Sequence, residues 1–232
     1  RYPAATDELT LFSSHTHPPI PLAAVKARAA VLKERIKRVK ERGYGCGINV
    51  LATVGHHEEA WSEALQGDYT RMTDIDGNIC EGSFCPSDVR FHEVIRETYT
   101  LFAEADPDYI WIDDDIRLAG HMPIVYTCFC DRCLARFSGI INRKLTRETL
   151  RKLFSEGAME QKLEIRRQWL RFHQNKVAEW LRLIEETVHR VRPGLPIGFM
   201  TGERYYEGYD FDRWEQVLVG TEPHDPVLWR PG

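Results

Sequence analysis

The chain of 232 residues is short of sulfur, of net charge and of long apolar runs, and each shortage removes a class of protein. Six cysteines are too sparse for a disulfide-built scaffold, so the core must come from hydrophobic burial. The expected setting is a reducing, cytoplasmic one; the chain does not begin with methionine, which leaves a trimmed leader open. Lys and Arg number 31 against 35 Asp and Glu, a formal net charge of −4, so no field recruits nucleic acid. No run of about eighteen apolar residues exists, and no membrane partner is expected. Internal repeats and low-complexity tracts are missing too. What remains is ordinary globular composition, 43% hydrophobic and 28% charged, long enough to bury one sizeable core.

Short β-rich runs alternate with amphipathic helices, the pattern of an α/β fold with parallel strands. Strands are expected at 9–14 (LTLFSS), 46–54 (CGINVLATV), 109–113 (YIWID), 196–202 (PIGFMTG) and 226–230 (PVLWR). Between the first two, Val25, Ala29, Leu32, Ile36 and Val39 recur every three or four residues and predict a helix over 23–42. Ser87 or Asp88 caps the next, which runs to about Glu104, and Thr146 with Thr149 opens a further helical region. Leu163, Leu170, Val177, Ile184 and Val191 are spaced by seven, and with Leu181 and Val188 they form a stripe expected to pack on the outside of the sheet. A last helix is expected at 211–218. Residues 55–86 read as one irregular segment, too long for a mere connector. Five strands in βα alternation amount to an incomplete (β/α)8 TIM-type barrel, one domain over 1–232.

The little sulfur present is concentrated. Cys128, Cys130 and Cys133 form C-x-C-x-x-C, a spacing that lets a tight turn and the first turn of a helix aim three thiolates at one centre. Cys85, just ahead of the capped helix, is the natural fourth ligand, with Cys80 in reserve and Cys46 inside a strand. Four thiolates leave no position for water, so the expected zinc is structural and pins the loops of a region spanning about 80–137.

Negative charge is concentrated as well. Asp113, Asp114 and Asp115 follow a buried strand, and in α/β folds ligands bind beyond the carboxyl ends of strands. Burial and mutual repulsion should raise at least one of their pKa values, as a general acid requires, while strand alternation lets at most two face the barrel axis together. Other polar groups fall at other strand ends. These are His15 and His17 after the first strand, Asn49, His56 and His57 on or after the second, Arg117 after the aspartates, Glu203 and Tyr205 after the fourth, and Trp229 with Arg230 in the fifth. Such a polar rim with flat rings suits a carbohydrate, whose apolar ring faces alternate with hydroxyls. Two other readings are a non-catalytic carbohydrate-binding or scaffold barrel, and a metal-dependent hydrolase built on His15 and His17.

The order VLATVGHHEEAW, MTDIDG, CPSD before a helix, a strand ending in carboxylates, then CFCDRCLARF resembles the β-galactosidases of glycoside hydrolase family 42, or a related glycosidase-like barrel family of uncertain activity. The resemblance covers roughly 46–137 and extends loosely to Arg230. It implies that the five strands are numbers two to six of the barrel and that Cys85, Cys128, Cys130 and Cys133 are the zinc ligands. The family carries Asp-Asn-Glu where this chain has Asp113, Asp114 and Asp115, which puts Asp115 in the place of the acid/base glutamate. The resemblance further implies a nucleophile on strand seven, after Gly232, so the segment is expected to be catalytically incomplete, with Glu203 the carboxylate partner inside the chain. A carbohydrate substrate is expected, and a homo-oligomer is left open.

Overall fold

The structure, a computed structural model, describes residues 6–200, 209–220 and 227–230. Along the chain come β1 (Glu8–Phe12), α1 (Leu22–Lys40), β2 (Gly45–Val50), β3 (Arg71–Thr73), β4 (Ile79–Phe84), α2 (Val89–Glu104) and β5 (Ile110–Ile112). They are followed by α3 (Asp131–Ile140), α4 (Arg147–Ser155), α5 (Met159–Val191), β6 (Ile197–Met200), α6 (Phe211–Val219) and β7 (Leu228–Arg230). Five strands make one parallel sheet in the order β1-β2-β5-β6-β7, and β3 and β4 pair separately as an antiparallel hairpin. Each parallel strand lies beside the next in sequence, with helices between, so the sheet is a curled half-barrel consistent with an incomplete TIM barrel.

Register explains which residues meet. Ile48, Val50, Ile110, Ile112, Ile197 and Phe199 alternate onto the face covered by helices, and all are buried. The opposite face carries the row Phe12, Asn49, Trp111, Gly198 and Leu228. On that face Gly47 has no room for a side chain, since a Cβ would sit 2.0 Å from the Tyr109 ring. The space lets the Tyr109 hydroxyl meet Thr10 Oγ1 at 2.6 Å.

Several boundaries differ from the sequence reading, each for a local reason. The strand expected over 9–14 stops at Phe12, because the Leu51 N–H donates to the Ser13 hydroxyl at 3.0 Å while the Ser13 carbonyl accepts from Arg28 Nε at 3.2 Å. The strand expected over 46–54 stops at Val50 for the same exchange. The irregular segment at 55–86 contains the β3–β4 hairpin, whose turn is held by Asp74 Oδ1 accepting the Asp76 and Asn78 N–H groups at 2.9 and 2.8 Å. In α5 the sevenfold spacing fails at its start: Leu163 and Leu170 are exposed, while Trp169 turns inward to stack on Phe129 with centroids 4.7 Å apart. The inward stripe is Trp169, Phe172, Lys176, Val177, Trp180, Leu181, Ile184 and Val188. Asp88 does cap α2, accepting the Arg90 N–H at 3.1 Å, and also takes the Thr70 N–H at 2.7 Å.

Candidate metal centre and strand-end cleft

Cys85 follows β4, Cys128 and Cys130 lie in the loop ahead of α3, and Cys133 sits in its first turn with Cys130 as N-cap residue. All four are buried, and their sulfurs lie within 4.8 Å of one another. Cys85 Sγ is 3.4 Å from Cys133 Sγ and 3.5 Å from Cys130 Sγ. A disulfide needs about 2.05 Å, so these are free thiols. Four sulfurs about 2.3 Å from a tetrahedral centre stand about 3.8 Å apart, close to the separations here. The donor set therefore fits a metal ion. Cys80 is elsewhere, bonded to Ser83 Oγ and the Met122 carbonyl, and Cys46 is inside the sheet. Among the described residues this is the one group of three or more His, Cys, Asp or Glu whose ligand atoms converge. His15 and His17 do not join such a group, because each faces a different glutamate: His15 Nε2 is 3.1 Å from Glu63, and His17 Nδ1 bonds Glu59.

At the strand ends, the three aspartates take three different environments. The chain leaves β5 at Ile112 and turns through a single 3-10 turn at Asp114–Ile116, so strand alternation ends before it can sort them. Asp113 continues the face of Trp111. Its carboxylate accepts from the Asn49 side-chain amide, lies 3.7 Å from the Arg230 guanidinium, and caps the turn by accepting the Asp114 N–H at 2.8 Å. Arg230 in turn donates to Asn49 Oδ1 at 2.9 Å, tying the ends of β2, β5 and β7 together. Burial pushes the Asp113 carboxyl above its ordinary pKa, against the Asn49 hydrogen bond that lowers it.

Asp114 is the most accessible of the three and pairs with Arg117. Arg117 also reaches His56 Nδ1 at 3.3 Å, and His56 Nε2 is 4.0 Å from Asp114. Burial, then the neighbouring Arg117, lowers the His56 pKa to about 2, so the ring is neutral and accepts from the guanidinium. His17, His56 and His57 pack ring to ring, with centroids 4.4 to 5.3 Å apart.

Asp115 is turned away from this rim. It is fully buried, and Oδ2 accepts the Thr53 and Gly55 N–H groups at 2.6 Å each, which clamps the loop after β2 to the loop after β5. Burial raises its pKa well above the carboxylate range.

Trp229 departs from the sequence reading. Adjacent strand residues point to opposite faces, so Trp229 and Arg230 cannot both face the cleft. Arg230 does, while Trp229 packs among Phe199 and Phe211 of the helical layer at 4.5 and 5.2 Å between centroids. The flat rings beside the polar groups are Phe12 and Trp111, whose centroids lie 5.9 and 6.0 Å from the Arg230 guanidinium carbon. Trp111 was legible as the i−2 neighbour of Asp113, whereas Phe12 was not, because its place beside Asn49 is set by the β1–β2 register. His121 had no such signal: it is a fully buried loop histidine whose ring nitrogens lie 2.8 Å from the Gly55 and Arg117 carbonyl oxygens. Glu203 and Tyr205 lie outside the described residues.

No protein-family model matches the chain, and no curated protein matches its sequence. Solved structures do. A β-galactosidase from Bacillus circulans sp. alkalophilus superposes with a TM-score of 0.56 at 17% identity, over 86% of this chain and 32% of that one. The β-galactosidase of the Antarctic haloarchaeon Halorubrum lacusprofundi gives 0.61 at 15%, over 96% and 39%. The catalytic domain of a β-amylase from Paenibacillus polymyxa gives 0.57 at 12%, over 94% and 72%. This chain thus spans about a third of the length of one β-galactosidase and about two fifths of the other. At these identities the likeness shows the fold alone: the chain is a curled parallel α/β half-barrel, consistent with an incomplete TIM barrel, that superposes on part of each of these three proteins.

Proposed function

We propose that the chain is the strand-two to strand-six portion of a glycoside hydrolase-like (β/α)8 barrel, related to the family 42 β-galactosidases, that hydrolyses a glycosidic bond in a small glycoside or oligosaccharide. The observation that carries this reading is the joined set Asn49, Asp113 and Arg230 at the carboxyl ends of three parallel strands, beside the Trp111 and Phe12 rings. Sugars need that combination of amide, carboxyl and guanidinium for hydroxyls with a flat apolar face for the ring.

Within it Asp113 is the proton donor to the leaving oxygen, since burial keeps its carboxyl protonated further up the pH scale than an ordinary aspartate. Asp114, Arg117 and His56 grip hydroxyls at the rim. Asp115 is assigned to loop clamping, because its accepting oxygen is already filled by two backbone N–H groups. A second carboxylate about 5 to 5.5 Å from the acid would make the enzyme retaining, and one about 6.5 to 9.5 Å away inverting. Zinc is the proposed occupant of the four-cysteine site. It would cross-link β4, the following loops and α3, with no open position for water.

The complete burial of Asp115, in the position the family resemblance gives to the acid, is the one observation that favours a carbohydrate-binding barrel without catalysis. Hydrolysis of a panel of aryl glycosides, assayed on a barrel completed with strands one, seven and eight because strands two to six alone lack the expected nucleophile, separates the two. Turnover that falls about 100-fold or more in Asp113→Asn, most steeply for poor leaving groups, supports the hydrolase; sugar binding with no turnover on any substrate supports the binder.

A further inference from the structure

Lys176 occupies the middle of the apolar stripe of α5, between Phe172 and Trp180, where spacing calls for a leucine or methionine. It is only 1% exposed. Lysines are almost never buried to that degree without an anionic partner, and no carboxylate lies within ion-pair distance of Lys176 among the described residues. What it does meet is sulfur. Its Nζ donates to Cys133 Sγ at 3.2 Å and sits 4.8 Å from the centroid of the Phe172 ring. The nearby Glu179 is taken by Arg136, whose other nitrogen reaches Ser87 Oγ, itself 3.6 Å from Cys133 Sγ.

We propose that Lys176 is a fifth member of the metal site, the built-in counter-charge that fixes it for a divalent ion held by four thiolates. Four thiolates around a divalent ion carry a net charge of −2, which is costly to bury. One ammonium in contact with Cys133 halves it. A trivalent ion in the same sulfurs would leave −1, and Lys176 would then bring less electrostatic benefit. The lysine therefore favours the divalent state over the trivalent one and slows metal loss by holding the Cys133 sulfur in place through its 3.2 Å hydrogen bond. Partners outside the ligand set commonly change metal affinity by about 10- to 100-fold. The inference rests on the metal reading of the four cysteines and is independent of the glycosidase reading.

The test compares Lys176→Met and Lys176→Gln, which remove the charge, with Lys176→Arg, which keeps it. Metal content of the purified wild-type protein is measured first. Zinc transfer to a colorimetric chelator should be at least about tenfold faster in the Met and Gln variants and near wild type in Arg. After exchange with iron, the Fe(III)/Fe(II) midpoint potential should fall in Met and Gln, because the reduced and more negative site loses its counter-charge. Far-UV circular dichroism with zinc in excess separates charge effects from misfolding, and Gln serves if Met does not fold. Equal zinc release and equal potentials in wild type, Met and Gln would overturn the role of Lys176, as would an Arg variant as leaky as Met. A wild-type protein that takes up no zinc and no iron would overturn the metal reading beneath it.

Discussion

Removing the metal should show how much of the half-barrel depends on it. The four cysteines join the end of β4, the loop after β5 and α3, elements that share no sheet ladder with one another. Cys130→Ser removes one ligand from a set whose sulfurs lie within 4.8 Å of one another, so the remaining three would hold an ion with one weak position. Since an ion that binds only the folded state stabilises it by RT ln(1 + [L]/Kd), a free zinc level a thousandfold above Kd contributes about 4 kcal/mol. For a chain of this size each kcal/mol moves the melting temperature by about 2 to 4 °C, so chelation should lower it by roughly 8 to 16 °C. The assay is thermal unfolding followed by circular dichroism in buffers of fixed free zinc. The wild-type midpoint should climb with log[zinc], and the Cys130→Ser midpoint should lie below it with a flatter slope. A wild-type melting curve indifferent to both zinc and chelator would refute a structural metal, whatever the sulfur geometry.

Three further outcomes follow from single side chains. Asp88 is fully buried; burial alone would raise its pKa, but hydrogen bonds from the Arg90 guanidinium and Thr70 hold it well below the carboxylate range. Asp88→Ala should cost about 2 kcal/mol in urea unfolding at pH 7. Because the folded pKa is depressed, that stability is present above the unfolded value of about 4 and is lost as pH falls through the folded value, so the acid limb should flatten in the variant. His56 works in the same direction but in a higher pH window: its folded pKa of about 2 lies below an unfolded value of about 6.5, so the unfolded chain takes up a proton first as pH drops. Stability should fall by about 1.4 kcal/mol between pH 7.5 and 5.5 from this group, a loss that His56→Asn removes. A Cβ on Gly82 would lie 1.7 Å from the His57 carbonyl oxygen, so Gly82→Ala should destabilise by at least about 1 to 3 kcal/mol and loosen amide-exchange protection in the histidine loop.

The parts of this molecule that were legible in the sequence are those whose signal is local and periodic. The βα alternation, the Asp88 cap and the convergence of Cys85 with the C-x-C-x-x-C segment all follow from spacing. The β3–β4 hairpin was not, because Arg71–Thr73 is too short to show alternation and its pairing is set by the Asp74 turn. The separate fates of Asp113, Asp114 and Asp115 were hidden for a similar reason. They depend on a 3-10 turn that begins one residue past the strand's last ladder contacts, and on the Thr53 and Gly55 amides of a distant loop. Lys176 has no sequence signal that marks it, and only the arrival of α5 against Cys133 makes it part of a site.

The proposal that the strand-end groups grip a sugar at its reacting centre is tested most directly by calorimetric titration with a basic iminosugar, which imitates the charge that develops at the anomeric carbon. Saturable binding that weakens at least about tenfold in both Asp113→Asn and Asn49→Ala, with the melting temperature of each variant checked, is the expected result. Binding that survives both substitutions unchanged, or no binding across galacto-, gluco- and fuco-configured iminosugars, would contradict it.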